Sequence, residues 1–401
     1  MSRGLRTRVL VLGVAAVVLL HVAAYGQVNA VYVESNLGNG TPNTIIGYSN
    51  DGTGNLTPLP GSPYLTGGSG VAPPPGQALG VQTDDDQQIV INPAGTLLFA
   101  VDGGSNDVAV FNINADASLT PIAGSPWPSN GSNPSSLGLL DNALGNGSGF
   151  LVVANKSSDV NQLNPPPPNI NTFTVAPDGT LTQNTALGST RSLPVGASPS
   201  QVAIGKSKLI FLDEFQEVPS SIRVFRIKAN GAVGLLSTTP VPSGDHVFLG
   251  EMMHPTKGVM YAALPADNQI GVYRYSTITG AMTFVTTVPN SGLLACWFAM
   301  DKAATRLYTA NTESNSVSVY DITNPLLPVE IQHIYLVATA GDGGPGNIAL
   351  DPTGQFLYTV NRSALHVLNV AADGTLTESL TPVNMGVPDG NFPFGLATVL
   401  K

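Results

Sequence analysis

The chain has 401 residues, with 16 Lys and Arg against 26 Asp and Glu, a formal net charge of -10 and a pI of about 4.8. That balance excludes a nucleic-acid binder, which needs a basic surface to displace counterions from phosphate. Charged residues are only 10%, while 44 Gly, 32 Pro and 42% hydrophobics describe a turn-rich, β-leaning chain whose single cysteine, Cys296, allows no intramolecular disulfide.

Residues 1–26 read as a signal peptide. Arg3, Arg6 and Arg8 form a positive start, and Val9 to Leu20 is apolar throughout except for Gly13, a stretch too short to span a bilayer comfortably. Small residues at Ala24 and Gly26 place cleavage before Gln27, with a cut after Ala24 as the competitor and an uncleaved anchor as the alternative. A secreted or periplasmic protein is expected. No second apolar run of membrane length follows, so no membrane span is expected after cleavage.

From residue 27 onward one unit repeats. Asp351-Pro352-Thr353-Gly354-Gln355-Phe356-Leu357-Tyr358-Thr359-Val360-Asn361 has a gapless counterpart in the segment from Asn92 to Asp102, and a further one runs from Asp301 to Asn311. Weaker copies centre on Tyr32, Val152, Ile210 and Tyr261, so that seven anchors recur at intervals of about 50 residues. Each anchor strand is followed by an alternating strand, such as Ser316-Val317-Ser318-Val319-Tyr320, which has one buried face. An Asp-Gly turn and a short outer strand come next, as at Asp178-Gly179-Thr180-Leu181 and Asp373-Gly374-Thr375-Leu376. Leu56 to Tyr64 and Leu119 to Trp127 share the longer pattern L-T-P-x-x-G-S-P. Four short strands per repeat and no amphipathic helix predict an all-β, seven-bladed propeller with four-stranded blades, residues 27–401 forming one domain. The first copy lacks its innermost strand, and Phe394 to Leu400 is a spare strand at the other end, so the C-terminal strand is expected to pair into the N-terminal blade and close the ring. The segments around Gly67–Asp86 and Pro165–Pro168 read as insertions of low order.

In a propeller, residues just before each inner strand and just after each second strand converge on the central channel. By this count the rim holds Gln201, Trp297 and Asn347 on the inner strands, and Asp213, Asn311 and Asn361, with neighbours Lys156, Glu214 and Arg362, after the second strands. The Asn and Asp positions equally suit turn capping, Trp297 equally suits the core, and Cys296 reads as a small buried hydrophobe. Five histidines show no metal-ligand spacing, and Asp84-Asp85-Asp86 reads as a solvated acidic run, so neither metal nor cofactor is expected. His254 stands at the turn position held elsewhere by Asp or Asn, which suggests a structural role.

The repeated D-P-x-G-x-x-L-Y-x-x-N and L-T-P-x-x-G-S-P motifs resemble the blades of the seven-bladed propeller lactonase family, which includes a 6-phosphogluconolactonase, across residues 28 to 400. The resemblance implies a P-R-H segment before one inner strand and an N-E pair after the next strand. Here these read Pro199-Ser200-Gln201 and Asp213-Glu214. A second segment, P-R-N, corresponds to Pro345-Gly346-Asn347, and an expected N-R pair is Leu264-Pro265. The implied arginines and histidine are absent, leaving Glu214 as the inherited base candidate. Three readings follow. The chain is a binding or scaffold propeller, monomeric, with Gln201, Asp213, Asn311, Trp297, Asn347, Asn361 and Arg362 as binding positions and a carbohydrate, small sugar lactone or cell-envelope molecule as partner. Alternatively it is a lactonase with Glu214 as base, or a purely structural surface repeat.

Overall fold

The computed structural model describes residues 1, 27–38, 40–71, 85–86, 88–156, 164–215, 220–245, 247–339, 343–388 and 391–401. The expected signal peptide after Met1 lies outside the described residues, as do Asp84 and His246. No described helix is long and apolar enough to cross a membrane.

Seven antiparallel sheets follow one another round a ring, each ordered from an inner strand outward. Blade 4 shows the plan: Pro199–Ile204 lines the channel, Leu209–Glu214 and Ser221–Ile227 follow, and Val233–Pro240 forms the outer edge. The second strand of a blade lies between neighbouring sheets, so both its faces are covered and every residue of Leu97–Asp102 and Val259–Leu264 is buried. Outer strands keep one wet face, and Val233–Pro240 alternates from Leu236 onward, past the register shift that leaves Leu235 and Leu236 both exposed. Cys296 is a buried thiol outside any disulfide, as its apolar surroundings suggest.

The repeated motif does two jobs. Its leading Asp or Asn holds the inner hairpin, since Asp351 Oδ1 accepts the amides of Gln355 and Phe356 at 2.8 and 2.9 Å, and Asp301 and Asn92 do the same for their own turns. His254 Nδ1 faces the amides of Thr256 and Lys257 at the same position, which accounts for its presence there. Where the motif carries a tyrosine, it staples its blade to the next: Tyr32 donates to the Ala117 carbonyl, Tyr261 to Pro325 and Tyr308 to Gly374. In L-T-P-x-x-G-S-P, Gly61 and Gly124 adopt positive φ and break the outer strand into two pieces. The hydroxyls of Ser62 and Ser125 then accept the Gly47 and Val110 amides at 2.9 Å, so the interruption leaves neither donor unmet.

Closure follows the expected route. Phe394–Leu400 pairs antiparallel with Asn29–Glu34, from Asn29 opposite Leu400 to Glu34 opposite Phe394. Two side-chain bonds join blade 1 to blade 7 as well, Asn29 Nδ2 to Asp351 Oδ2 at 2.6 Å and Asn50 Nδ2 to the Tyr358 hydroxyl at 2.6 Å.

Candidate functional site

The rim where inner strands begin and second strands end carries most of the buried ionisable groups. On blade 4 the strand Leu209–Glu214 delivers Asp213 to the channel end, where it is fully buried. Its Oδ1 accepts from the Ser200 hydroxyl at 2.9 Å and the Gln201 amide at 2.6 Å, and its Oδ2 accepts the Gly250 amide of blade 5 at 2.7 Å. Burial pushes this carboxyl up to about 6 despite those donors. Gln201 in turn accepts the Glu251 amide on Oε1 at 2.5 Å. Glu251 is itself fully buried, and desolvation, then the nearby Asp213 charge, drive it well above the carboxylate range while the Ala203 amide pulls the other way.

Asp85 and Asp86 lie against the same rim. The sequence reading made them part of a solvated run, whereas they are 2% and 8% exposed. Asp85 forms a buried ion pair with Lys156 and accepts from Gln88 Nε2 at 3.1 Å. The Asp86 amide donates to the Ser200 carbonyl at 3.0 Å, and its Oδ1 accepts from Asn347 Nδ2 at 2.9 Å, tying blades 2, 4 and 7 together across the channel. An acidic run can be buried here because one buried cation and several amide donors meet it. A second buried pair sits between blades 1 and 2: Asn43 Nδ2 donates both to Glu34 Oε1 and to Asp102 Oδ1. Burial, then Asp102, raises Glu34 well above its ordinary value, and burial lifts Asp102 to about 6.

The channel holds an open cavity of about 360 Å³. Asp86, Gln201 and Asn347 form its polar end, while the rest of the described lining is apolar, with Met252, Phe298, Met300, Leu350 and Leu396 among it. Asp86 is the only ionisable group among its described lining residues.

Of the sequence-derived candidates, Gln201 and Asn347 therefore reach the cavity together. Asp213 stands behind Gln201 as its anchor. Glu214 points instead into its own blade, where it is fully buried and accepts the Ser198 amide, and its carbonyl accepts from the Ser220 hydroxyl. Trp297 is 2% exposed and packs in the core against Gly250. Asn311 is consumed by Ser316 and Ser318 of its own blade and by Asn290 at the end of blade 5. Asn361 caps its turn by accepting the Ser363 and Ala364 amides. Arg362 is exposed and lies over the Phe392 ring at 4.4 Å. Asp85, Asp86 and Glu251 were not among the candidates.

The family model described as Lactonase, 7-bladed beta-propeller, matches residues 169–326, which run from blade 3 to blade 6. Over that stretch the chain resembles the family, and its described residues fold as a seven-bladed propeller. Among solved structures, this propeller is similar to a putative 6-phosphogluconolactonase from Bacteroides fragilis, at 16% identity and a TM-score of 0.69, with 93% of this chain and 98% of that one covered. It is likewise similar to a periplasmic gluconolactonase from Pseudomonas aeruginosa, at 16% identity and a TM-score of 0.71, covering 93% and 99%. A protein from Lactobacillus plantarum aligns at 15% identity with a TM-score of 0.70, covering 93% and 100%. At such identities the likeness speaks for the fold. No curated protein matches the chain.

Proposed function

We propose that this lactonase-family propeller is an exported binding protein that holds a small, neutral, carbohydrate-like ligand in its channel without hydrolysing it. The observation that carries this reading is the lining of the channel cavity, where the polar end is built from two neutral amides and a carboxylate. Small-ligand sites span about 300–1,000 Å³ and combine apolar walls with a few convergent polar groups, a description that fits 360 Å³ of apolar wall ending at Gln201, Asn347 and Asp86. Hydroxyls of a sugar would meet amides and an acceptor, and its apolar ring face would lie on the methionines. A phosphorylated substrate would place its charge beside Asp86 with no cation in the described lining to offset it. Lactone hydrolysis needs a base for water and donors for the developing oxyanion.

A second reading, lactone hydrolysis, is favoured by Asp213, whose value near 6 suits a general base. Calorimetric titration of the purified protein with glucono-lactone, gluconate and their 6-phosphorylated forms, run beside a hydrolysis assay, separates the two. Binding of the neutral compounds without turnover is expected. Robust turnover, or preference for the phosphorylated forms, would overturn the proposal.

A further inference from the structure

The chain carries an excess of acid, yet its cations are not spread evenly. Three of the 16 Lys and Arg lie before residue 9, and of the remaining 13, six fall on one face of two adjacent blades. Lys206 and Lys208 occupy the turn after the inner strand of blade 4, Arg226 and Lys228 the end of its third strand, and Lys257 and Arg274 the equivalent places in blade 5. This is the face opposite the rim described above. The acids of these two blades that can be placed, Asp213, Glu214, Asp245, Glu251 and Asp267, all stand at the rim end. The flanking blades bring carboxylates back to this face, at Asp141 and Asp178 of blade 3 and at Asp301 and Asp321 of blade 6.

The six belong to one surface. Lys206 Nζ reaches across to the Thr256 carbonyl of blade 5 at 2.8 Å, and Arg226 reaches the Thr277 carbonyl at 2.8 Å. All but Arg226 are exposed, and none is paired with a carboxylate among the described residues. Apolar side chains are exposed among them. Ile278, in the turn that Arg226 touches, is 80% exposed, and Leu235 and Leu236 stand at 43% and 38% on the adjoining outer strand of blade 4. Phe284 and Val285 continue the apolar strip on blade 5.

We propose that this face of blades 4 and 5 docks on an anionic lipid surface, its cations against headgroup phosphates and Ile278 with the adjoining leucines at the acyl boundary. A hydrated polyanion such as an acidic polysaccharide would satisfy the charges but leave the exposed Ile and Leu without a partner. A lipid headgroup layer meets both at once, since basic residues and protruding apolar side chains are the pair of features that holds a protein at a membrane interface. The channel plays no part in this contact, so the two proposals stand or fall separately.

Vesicle flotation tests it, comparing phosphatidylcholine alone with phosphatidylcholine plus phosphatidylglycerol. The protein is expected to float with the anionic vesicles only, and to be released as salt shortens the reach of the surface potential. Reversing two exposed charges, Lys206→Glu with Lys257→Glu, should weaken binding by more than about tenfold. Ile278→Ser should weaken it several-fold with the charges intact, and Lys302→Glu on blade 6 should do little. Absence of binding to anionic vesicles, equal binding of the double variant, or binding undisturbed by Ile278→Ser and fully competed by dextran sulfate would each overturn the proposal, the last by making the partner a soluble polyanion.

Discussion

Removing residues 391–401 takes away the inner strand of blade 1, and the expected loss can be worked from what that strand does. It makes the whole pairing with Asn29–Glu34, and the ladder is extended by the mutual Val28 and Lys401 bonds at 2.8 and 2.9 Å. Thr398 donates to the Leu350 carbonyl of blade 7 at 2.7 Å, and Phe394, Leu396 and Val399 are each under 10% exposed. Burying three such side chains stabilises by roughly 1.5–3 kcal/mol each, so the apolar term alone is about 5–9 kcal/mol. That is comparable with the roughly 5–15 kcal/mol that holds an entire domain together. Truncation should therefore unfold the ring cooperatively or lower its melting temperature by more than about 10 °C. The bared edge of Asn29–Glu34 should also promote oligomers. Calorimetry paired with light scattering on the truncated chain reads both effects. A truncated protein that stays monomeric and melts within about 2 °C of the intact chain would refute the closure argument.

Asp213→Ala strands three buried donors and should cost roughly 3 kcal/mol or more in denaturant unfolding. Because the Asp213 carboxyl is raised from 3.8 to about 6, the native state holds its proton more tightly than the unfolded chain; the stability advantage of wild type over Asp213→Asn should shrink as pH climbs through that window, and a flat difference would contradict the assignment. Tyr308→Phe deletes the bond to Gly374 and should cost about 1 kcal/mol in the same measurement, with no change in ligand titration. Glu214→Gln should leave any basal lactone hydrolysis unchanged while lowering stability by about 1–2 kcal/mol, so turnover abolished by this change would restore Glu214 as a base.

Local chemistry made the fold readable. The turn acids and the hairpin glycines act within a few residues of themselves, and strand alternation reports one buried face directly, so blade count and closure both followed from the sequence. The channel rim obeys a different rule. Register shifts interrupt the inner strands between Pro134 and Ser136, between Pro199 and Val202, and between Ala295 and Trp297, just where those strands reach the rim. A one-residue slip exchanges the two faces of a strand, so Trp297, placed at the rim by its position in the repeat, faces the core instead. Asp85 and Asp86 escaped notice for another reason. Their burial depends on Lys156 and Asn347, far away in sequence, and nothing within the acidic run itself signals those partners.

The fate of the Asp213-Glu214 pair bears most directly on function. Asp213 holds donors from two blades, including the amide that starts the inner strand of blade 5, and thereby fixes where Gln201 points. To take a proton from water it would have to turn away from Gly250 or Gln201, leaving a buried amide unmet at a cost of about 1–3 kcal/mol each. A carboxylate in this position contributes more as a brace than as a base. The raised Asp213 is then a consequence of burial in that brace, and this carboxylate sets the geometry of Gln201, one of the neutral side chains that face the cavity.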